Sequence, residues 1–550
     1  MALSSDQPIS DQLTGLIVHI VSHTNGISLE DTLDLMAASP TMEKLPEAAE
    51  VVHDFRQKLI DFQTHKTEIN TLLEHPFSHA FYRFLKAFPI PYREEHSHLT
   101  GSLSAPFVFP RLKKMLDGPG SEAVKKQIRL VYGDDALPIN SEADVDRLIR
   151  LSEHEAFDRY LKILMLPKLI LTDRQAHAEA AYHMAHELYH KFNVGYIRLK
   201  FTLSRATSDE SEKVPGAASL TSEDVALGLF EGFKKFQREV PAFNFILSPS
   251  FRKEADFFDA SRYPDKKSHV LAQIDTILDL LERFPELVPH LREIDTVGDE
   301  KNFYRKSHFY DMHLAFRKLQ YYGFKIRSHH GETWRCLRHG IQAVDNAMNI
   351  WHIDALEHGL SLGINPNYYF HSMYQRILKA NALGKPIPKG SLEFNELEDM
   401  LWNKNTHIFE KLVNGEPLDR QGRVLFTKAK FHTASEVEYY QHDVLNRMIQ
   451  KGVSLMSLPS SNYKLTSYFD DYKDHPFSWW EKKGLRLGVG TDNYVTLDTD
   501  FIKEMLILLY TDPVGLKITK LLMVTTGEER RPYISHLLWE MNRTLGLKNP

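Results

Sequence analysis

One cysteine, Cys336, in 550 residues leaves no partner for an intrachain disulfide and removes every cysteine-rich zinc pattern from consideration. A reducing, cytoplasmic compartment is the expectation. Long apolar runs are missing too. The most apolar stretch, Met505 to Leu509, falls far short of the roughly 20 residues that a membrane helix needs, and the first residues show no basic-then-apolar leader pattern. No excess of positive charge is available either: 67 basic residues face 73 acidic ones, a net charge of −6. That balance offers no bulk attraction to nucleic acid or to an anionic membrane, so a small-molecule partner is expected. What is present is the composition of a globular protein, 42% hydrophobic and 25% charged.

The first 90 residues carry helical periodicity, at Leu13, Ile17, Ile20 and Val21 and again at Val51, Val52, Phe55, Leu59 and Phe62. They predict a helical N-terminal extension (1–90) that either makes a homo-oligomer contact or wraps the main domain (91–550). From residue 91 onward, strand-like stretches alternate with helical ones. After the stretch leading to His96 come Gly195–Phe201, Phe243–Leu247, Ile294–Glu300, Phe324–Glu332, Ile353–Gly359, Ser454–Pro459 and Leu485–Asn493. Strands and helices at this spacing predict βα units and a parallel sheet, an α/β protein of the (β/α)8 barrel type. Residues Ser204 to Asp224 read as an exposed loop. The histidines of the helix Arg174 to Lys191, His177, His183, His186 and His190, read as structural or surface residues.

Residues with metal and proton chemistry fall at the C-terminal ends of these strands, the active-site face of such a barrel. His96 and His98 stand at i and i+2 and project to the same side of a strand. His329, His358 and Asp492 end three others, and Glu332 follows His329 by three residues. Imidazole nitrogen and carboxylate oxygen together suit zinc, with a position left for water, and a nearby carboxylate can shuttle that water's proton.

The motifs are similar to those of the adenosine/AMP deaminase family of metal-dependent amidohydrolases. They run in family order from about residue 80 to about residue 540: His96-Ser97-His98-Leu99-Thr100-Gly101-Ser102, Gly298-Asp299-Glu300, His329-His330-Gly331-Glu332, Glu357-His358-Gly359, Pro459-Ser460-Ser461-Asn462 and Thr491-Asp492-Asn493. The resemblance implies one zinc ion, or another first-row divalent ion, held by His96, His98, His329 and Asp492. It implies hydrolytic deamination by a metal-held hydroxide, with Glu332 as proton shuttle, His358 and Asp492 as catalytic partners, and Gly298 touching the base. Three departures bear on the substrate. Thr100 stands where the family has an acid toward the sugar, Asn493 where an aspartate reads the purine, and His330 where there is alanine. Thr100, Gly298, His330 and Asn493 are therefore the candidate substrate contacts.

The implied substrate is an adenine-type nucleoside, nucleotide or modified purine. The alternatives are an amidohydrolase acting on a different C–N bond and a catalytically silent scaffold. Arg111, Lys113 and Lys114 are candidates for phosphate contact. The long stretch after the sixth strand, residues 361–434, reads as an inserted lid or specificity subdomain carrying Tyr368, Tyr369, His371 and Arg376 toward the pocket.

Overall fold

A computed structural model describes residues 8–546 apart from 25, 153–156, 205–209, 218, 467 and 470. Eight strands follow the chain in order: β1 (Tyr92–His98), β2 (Val194–Phe201), β3 (Asn244–Arg252), β4 (Glu293–Val297), β5 (Lys325–His330), β6 (Ala355–His358), β7 (Ser454–Ser457) and β8 (Leu487–Val489). Each pairs in parallel with the next, giving one sheet in sequence order. Asp492, just past β8, bridges to Ser97 of β1. Asp492 N–H donates to the His96 carbonyl at 2.9 Å and His98 N–H to the Asp492 carbonyl at 2.8 Å. The seam of the (β/α)8 barrel is thus sewn by the candidate metal ligands themselves.

Two glycines shape this end of the barrel. A side chain at Gly490 would meet the Cβ of His96 at 2.6 Å, so β8 reaches β1 only because the residue is bare. Gly298, at φ +106°, turns the chain sharply after β4, which ends at Val297 instead of running on to Glu300.

The N-terminal segment is a wrapper of the barrel. Its helix Ile9–His23 packs on the C-terminal helix Arg531–Leu545 and on Pro76–Lys86, and Phe55 stacks on Phe77 at 4.4 Å with Tyr510 edge-on at 5.5 Å. Among its described residues only Leu35 and Ile60 stand out as exposed large apolar side chains. The helix after the insertion begins earlier than the sequence pattern predicts. Asp419 caps its start, accepting from Gly422 N–H at 2.6 Å, and it runs Arg420–Lys451 without a break, so residues 420–434 belong to the crossover helix. The predicted loop 204–224 holds a helical turn at Glu210–Glu212, and Thr221 caps the helix Ser222–Glu239; residues 205–209 and 218 lie outside the described residues. No helix among the described residues is long and apolar enough to cross a membrane.

Candidate metal centre and cavity

At the C-terminal ends of the strands the predicted ligands converge. His96 Nε2 lies 3.2 Å from His98 Nε2 and 3.6 Å from Asp492 Oδ1, and His98 Nε2 lies 3.4 Å from the same oxygen. Donor atoms of His96, His98 and His329 fall within 4.8 Å of one another, as do those of His96, His358 and Asp492. Burial lowers the His98 imidazole to about 4 and carries His329 well below its ordinary value, so both rings are neutral and free to ligate. Burial acts against the Asp492 carboxylate, but the His96 hydrogen bond and the neighbouring imidazoles outweigh it and keep the group ionised.

Three of the four candidate ligands are held from behind. The His96 Nδ1–H donates to Glu357 Oε2 at 2.6 Å and the His329 Nδ1–H to Asp295 Oδ1 at 3.1 Å. Both rings therefore turn Nε2 inward, the arrangement carboxylates impose on metal-ligating histidines. Ser461 Oγ donates to Asp492 Oδ2 at 2.6 Å, and Asn493 Nδ2 to Asp492 Oδ1 at 2.8 Å. Beneath the histidines the barrel interior is ionic. Arg198 pairs with Glu95 and Glu293, Arg327 with Glu357, and Lys200 with Glu357 and Asp295. Arg93 also pairs with Glu95, so four carboxylates face four cations in this layer, and the ionised Asp492 above it adds a negative charge. Neutral imidazoles and a carboxylate converging over a balanced ionic floor fit a divalent cation.

Proton-handling groups stand beside the cluster. Glu332 Oε1 lies 3.7 Å from His358 Nε2, and burial raises the Glu332 carboxyl above its ordinary range. His358 Nδ1–H donates to Asn462 Oδ1 at 2.9 Å, which leaves the Nε2 lone pair on the cavity side. Glu300 accepts the backbone N–H groups of Gly331, Glu332 and Thr333 at 3.1, 2.5 and 2.7 Å and so fixes the turn that carries Glu332. His358 and Asp492 have left-handed backbones, φ +66° and +63°. Such strained positions for non-glycine residues gather at functional sites. At His358 the strained backbone breaks the strand alternation, and both Glu357 and its neighbour reach the inside.

Thr100, Gly298, Glu332, His358 and Asp492 line one cavity together with His98 and His329. Two predicted contacts do not. His330 points out of the barrel because its neighbour His329 points in; it stacks on Phe309 at 5.4 Å beside Trp351 and shares a 2.6 Å hydrogen bond with Ser328. Asn493 is not a wall residue either; its Nδ2 donates to two residues that are, Tyr160 Oη at 2.5 Å and Asp492. Arg111 pairs with Glu179 and Lys113 with Asp117, away from the cavity walls. Tyr368, Tyr369, His371 and Arg376 contribute nothing to the walls either. The outer wall comes instead from the β1–β2 connection, through Tyr160, Leu161, Leu164 and Lys168, and His177, read as structural, also faces the cavity. The insertion after β6 packs behind the Glu332 turn, where Tyr369 Oη and Leu337 N–H both donate to Glu396 at 2.6 and 2.7 Å.

The cavity continues into an adjoining lobe that shares Lys168, Arg252, Ser250 and Glu212 with it and adds Lys266. Lys168 pairs with Glu212 and Arg252 with Glu254. Lys266, nearly buried, donates to the carbonyls of Arg252 and Phe257 at 2.7 and 2.6 Å, and burial lowers it to about 8.

Fold and side chains together define an eight-stranded α/β barrel with a histidine–carboxylate cluster and an acid–imidazole pair on its C-terminal face. No protein-family model and no curated protein sequence matches the chain. Solved structures similar to it include deaminases and an amidohydrolase. Adenine deaminase from Arthrobacter aurescens superposes with a TM-score of 0.47 at 12% identity, over 82% of this chain and 99% of that one. The N6-methyl-AMP deaminase of Arabidopsis thaliana gives 0.46 at 13%, over 83% and 96%. A zinc-bound amidohydrolase from Burkholderia ambifaria gives 0.45 at 14%, over 83% and 93%.

Proposed function

We propose that this chain is a metal-dependent hydrolytic deaminase of an adenine-type nucleotide, with zinc held by His96, His98, His329 and Asp492. The observation that carries the reading is the Glu332–His358 pair, 3.7 Å apart, facing the same cavity as the metal-type donors. A zinc ion in such a set lowers the pKa of a water toward neutrality. Glu332, whose carboxyl burial raises above its ordinary range, gives a proton to the ring nitrogen beside the amino-bearing carbon, which makes that carbon electrophilic. His358 Nε2 accepts a hydrogen bond from the attacking water and steadies charge as the carbon becomes tetrahedral. Gly298 offers bare backbone to the base, and the amino group leaves as ammonia once it has taken up a proton.

Support for a phosphorylated substrate comes from the cavity's far end, where Lys168 and Arg252 are wall residues and Lys266 stands in the adjoining lobe. Thr100 at the wall removes the carboxylate that would repel a phosphate. A second reading, hydrolysis of a different C–N bond by the same centre, is favoured by one observation: the Asn493 amide is committed to Tyr160 and Asp492 and is not itself a wall residue.

The test is ammonia release by zinc-loaded protein across adenosine, deoxyadenosine, AMP, adenine and N6-methyl-AMP, with Glu332→Gln as control. Turnover of a 5'-phosphate, lost in Glu332→Gln and weakened at the KM level by Arg252→Ala, is the expected result. Silence across this panel with zinc bound, and turnover of amides or cyclic amides instead, would replace the first reading with the second.

A further inference from the structure

The resemblance drawn from the sequence has a glycine where this chain has Glu357, and the structure gives that exchange a partner. Glu357 is fully buried, and its two oxygens face in different directions. Oε2 receives the His96 Nδ1–H at 2.6 Å, while Oε1 lies 2.5 Å from Arg327 Nε and 3.1 Å from Lys200 Nζ. Lys200 comes from β2, is likewise fully buried, and places the same ammonium 3.2 Å from Asp295 Oδ2. Asp295 in turn holds His329 through Nδ1. One ammonium therefore stands between the two carboxylates that orient two of the four candidate ligands, each drawn from a different strand.

Asp295 has no comparable alternative: among the described residues no cation besides Lys200 and the His329 ring it orients lies within ion-pair distance, whereas Glu357 also holds Arg327 at 2.5 Å. Removing a partner from a buried pair leaves an uncompensated charge, which is far more disruptive than removing both partners together. Resting on the metal-centre reading above, we infer that Lys200 is a positioning residue that ties Glu357 and Asp295 into one clamp, so that His96 and His329 present Nε2 to the ion as a unit. It is a wall residue of the cavity, but its ammonium is held by the two carboxylates and acts through them.

The experiment measures how tightly the full-length protein holds its ion, by chelator competition with zinc. It also records the visible absorption of the cobalt-loaded protein, which reports ligand geometry independently of turnover. Lys200→Met should weaken ion retention by about tenfold to a hundredfold, the usual effect of removing a group behind a metal ligand, and should shift the cobalt spectrum. Glu357→Gln, which keeps an acceptor for His96 but discards the charge, should weaken it as well. Combining Lys200→Met with Glu357→Gln should recover part of the retention relative to the product of the single losses, because one carboxylate charge goes with the ammonium and only Asp295 is left without its cation. If Lys200→Met does not fold, a double variant that folds and retains ion supports the clamp, and one that loses more than about a hundredfold in retention beyond Glu357→Gln alone overturns it. Additive losses, or a Lys200→Met protein that keeps wild-type retention and spectrum, would overturn the clamp. Ion retained normally by wild type without ammonia release from any panel substrate would instead overturn the deaminase reading alone, and a wild-type chain that takes up no divalent ion would overturn both.

Discussion

Replacing Glu94 by glutamine should leave the protein folded and make it less sensitive to alkaline pH, whereas alanine at the same place should come close to unfolding it. Glu94 is fully buried at the barrel seam. One oxygen accepts the backbone N–H groups of His96 and Thr491 at 3.0 and 3.2 Å, and the other faces Thr491 Oγ1 and Tyr494 Oη at 2.9 and 2.8 Å. Burial pushes its pKa from 4.5 up to about 8. The folded chain therefore binds this proton more tightly than the unfolded chain does, and stability falls as pH rises from 4.5 toward 8. Each pH unit in that window costs about 1.4 kcal/mol. Between pH 5.5 and 8.5 the loss from this one group sums to about 3 kcal/mol. A glutamine accepts both backbone donors with its oxygen and donates to both hydroxyls with its nitrogen, and it cannot ionise. Its stability advantage over wild type should thus widen by about 3 kcal/mol across those pH values. Alanine leaves four polar groups without their acceptor, at about 1–3 kcal/mol each, against a typical total of roughly 5–15 kcal/mol. Urea unfolding of the three proteins at pH 5.5, 7 and 8.5 measures this. A glutamine variant whose difference from wild type does not change with pH, or that is weaker than wild type at pH 8.5, refutes the reasoning.

Two further outcomes follow from the site. Glu300→Gln turns an amide N–H₂ toward one of the three backbone donors that fix the Glu332 turn; kcat should drop about tenfold to a hundredfold, the equivalent of roughly 1.4–2.7 kcal/mol, with zinc content unchanged by elemental analysis. Lys168→Ala and Leu164→Ala, in the cavity wall, should raise KM for the accepted substrate by about tenfold, while Tyr368→Ala and Arg376→Ala in the β6–β7 insertion should leave it within about twofold; steady-state kinetics on the four variants decides which connection sets specificity.

The parts of the site that the sequence made legible are those fixed by short-range rules. Strand alternation put His96 and His98 on one side, and the step from His329 to Glu332 survives because both sit on a single strand and the turn after it. The extent of a loop was legible but not its destination. Residues 361–434 read as a lid because a long stretch after a candidate ligand opens on the active-site face, yet they pack behind the Glu332 turn through Tyr369 and Glu396. The β1–β2 connection, in which the histidines of Arg174 to Lys191 read as structural or surface residues, forms the outer cavity wall. Nothing local distinguishes the two: both begin at the same end of the barrel, and which one folds over the mouth is decided by long-range packing.

The ionic floor was hidden for a different reason. Tyr196-Ile197-Arg198-Leu199-Lys200-Phe201 alternates as a half-exposed strand would, with the charged residues placed toward water. In a barrel covered by helices the outward face is the apolar one, and Ile197 and Leu199 are buried there. Arg198 and Lys200 must then turn inward, where only carboxylates on other strands can balance them. The same inversion applies to Glu293 and Asp295 on β4 and to Arg327 on β5. Once a strand is known to belong to a closed parallel barrel, its charged alternation is evidence of an interior that is built for something other than packing. Here, one layer above those charges, stand the histidines that they hold in place.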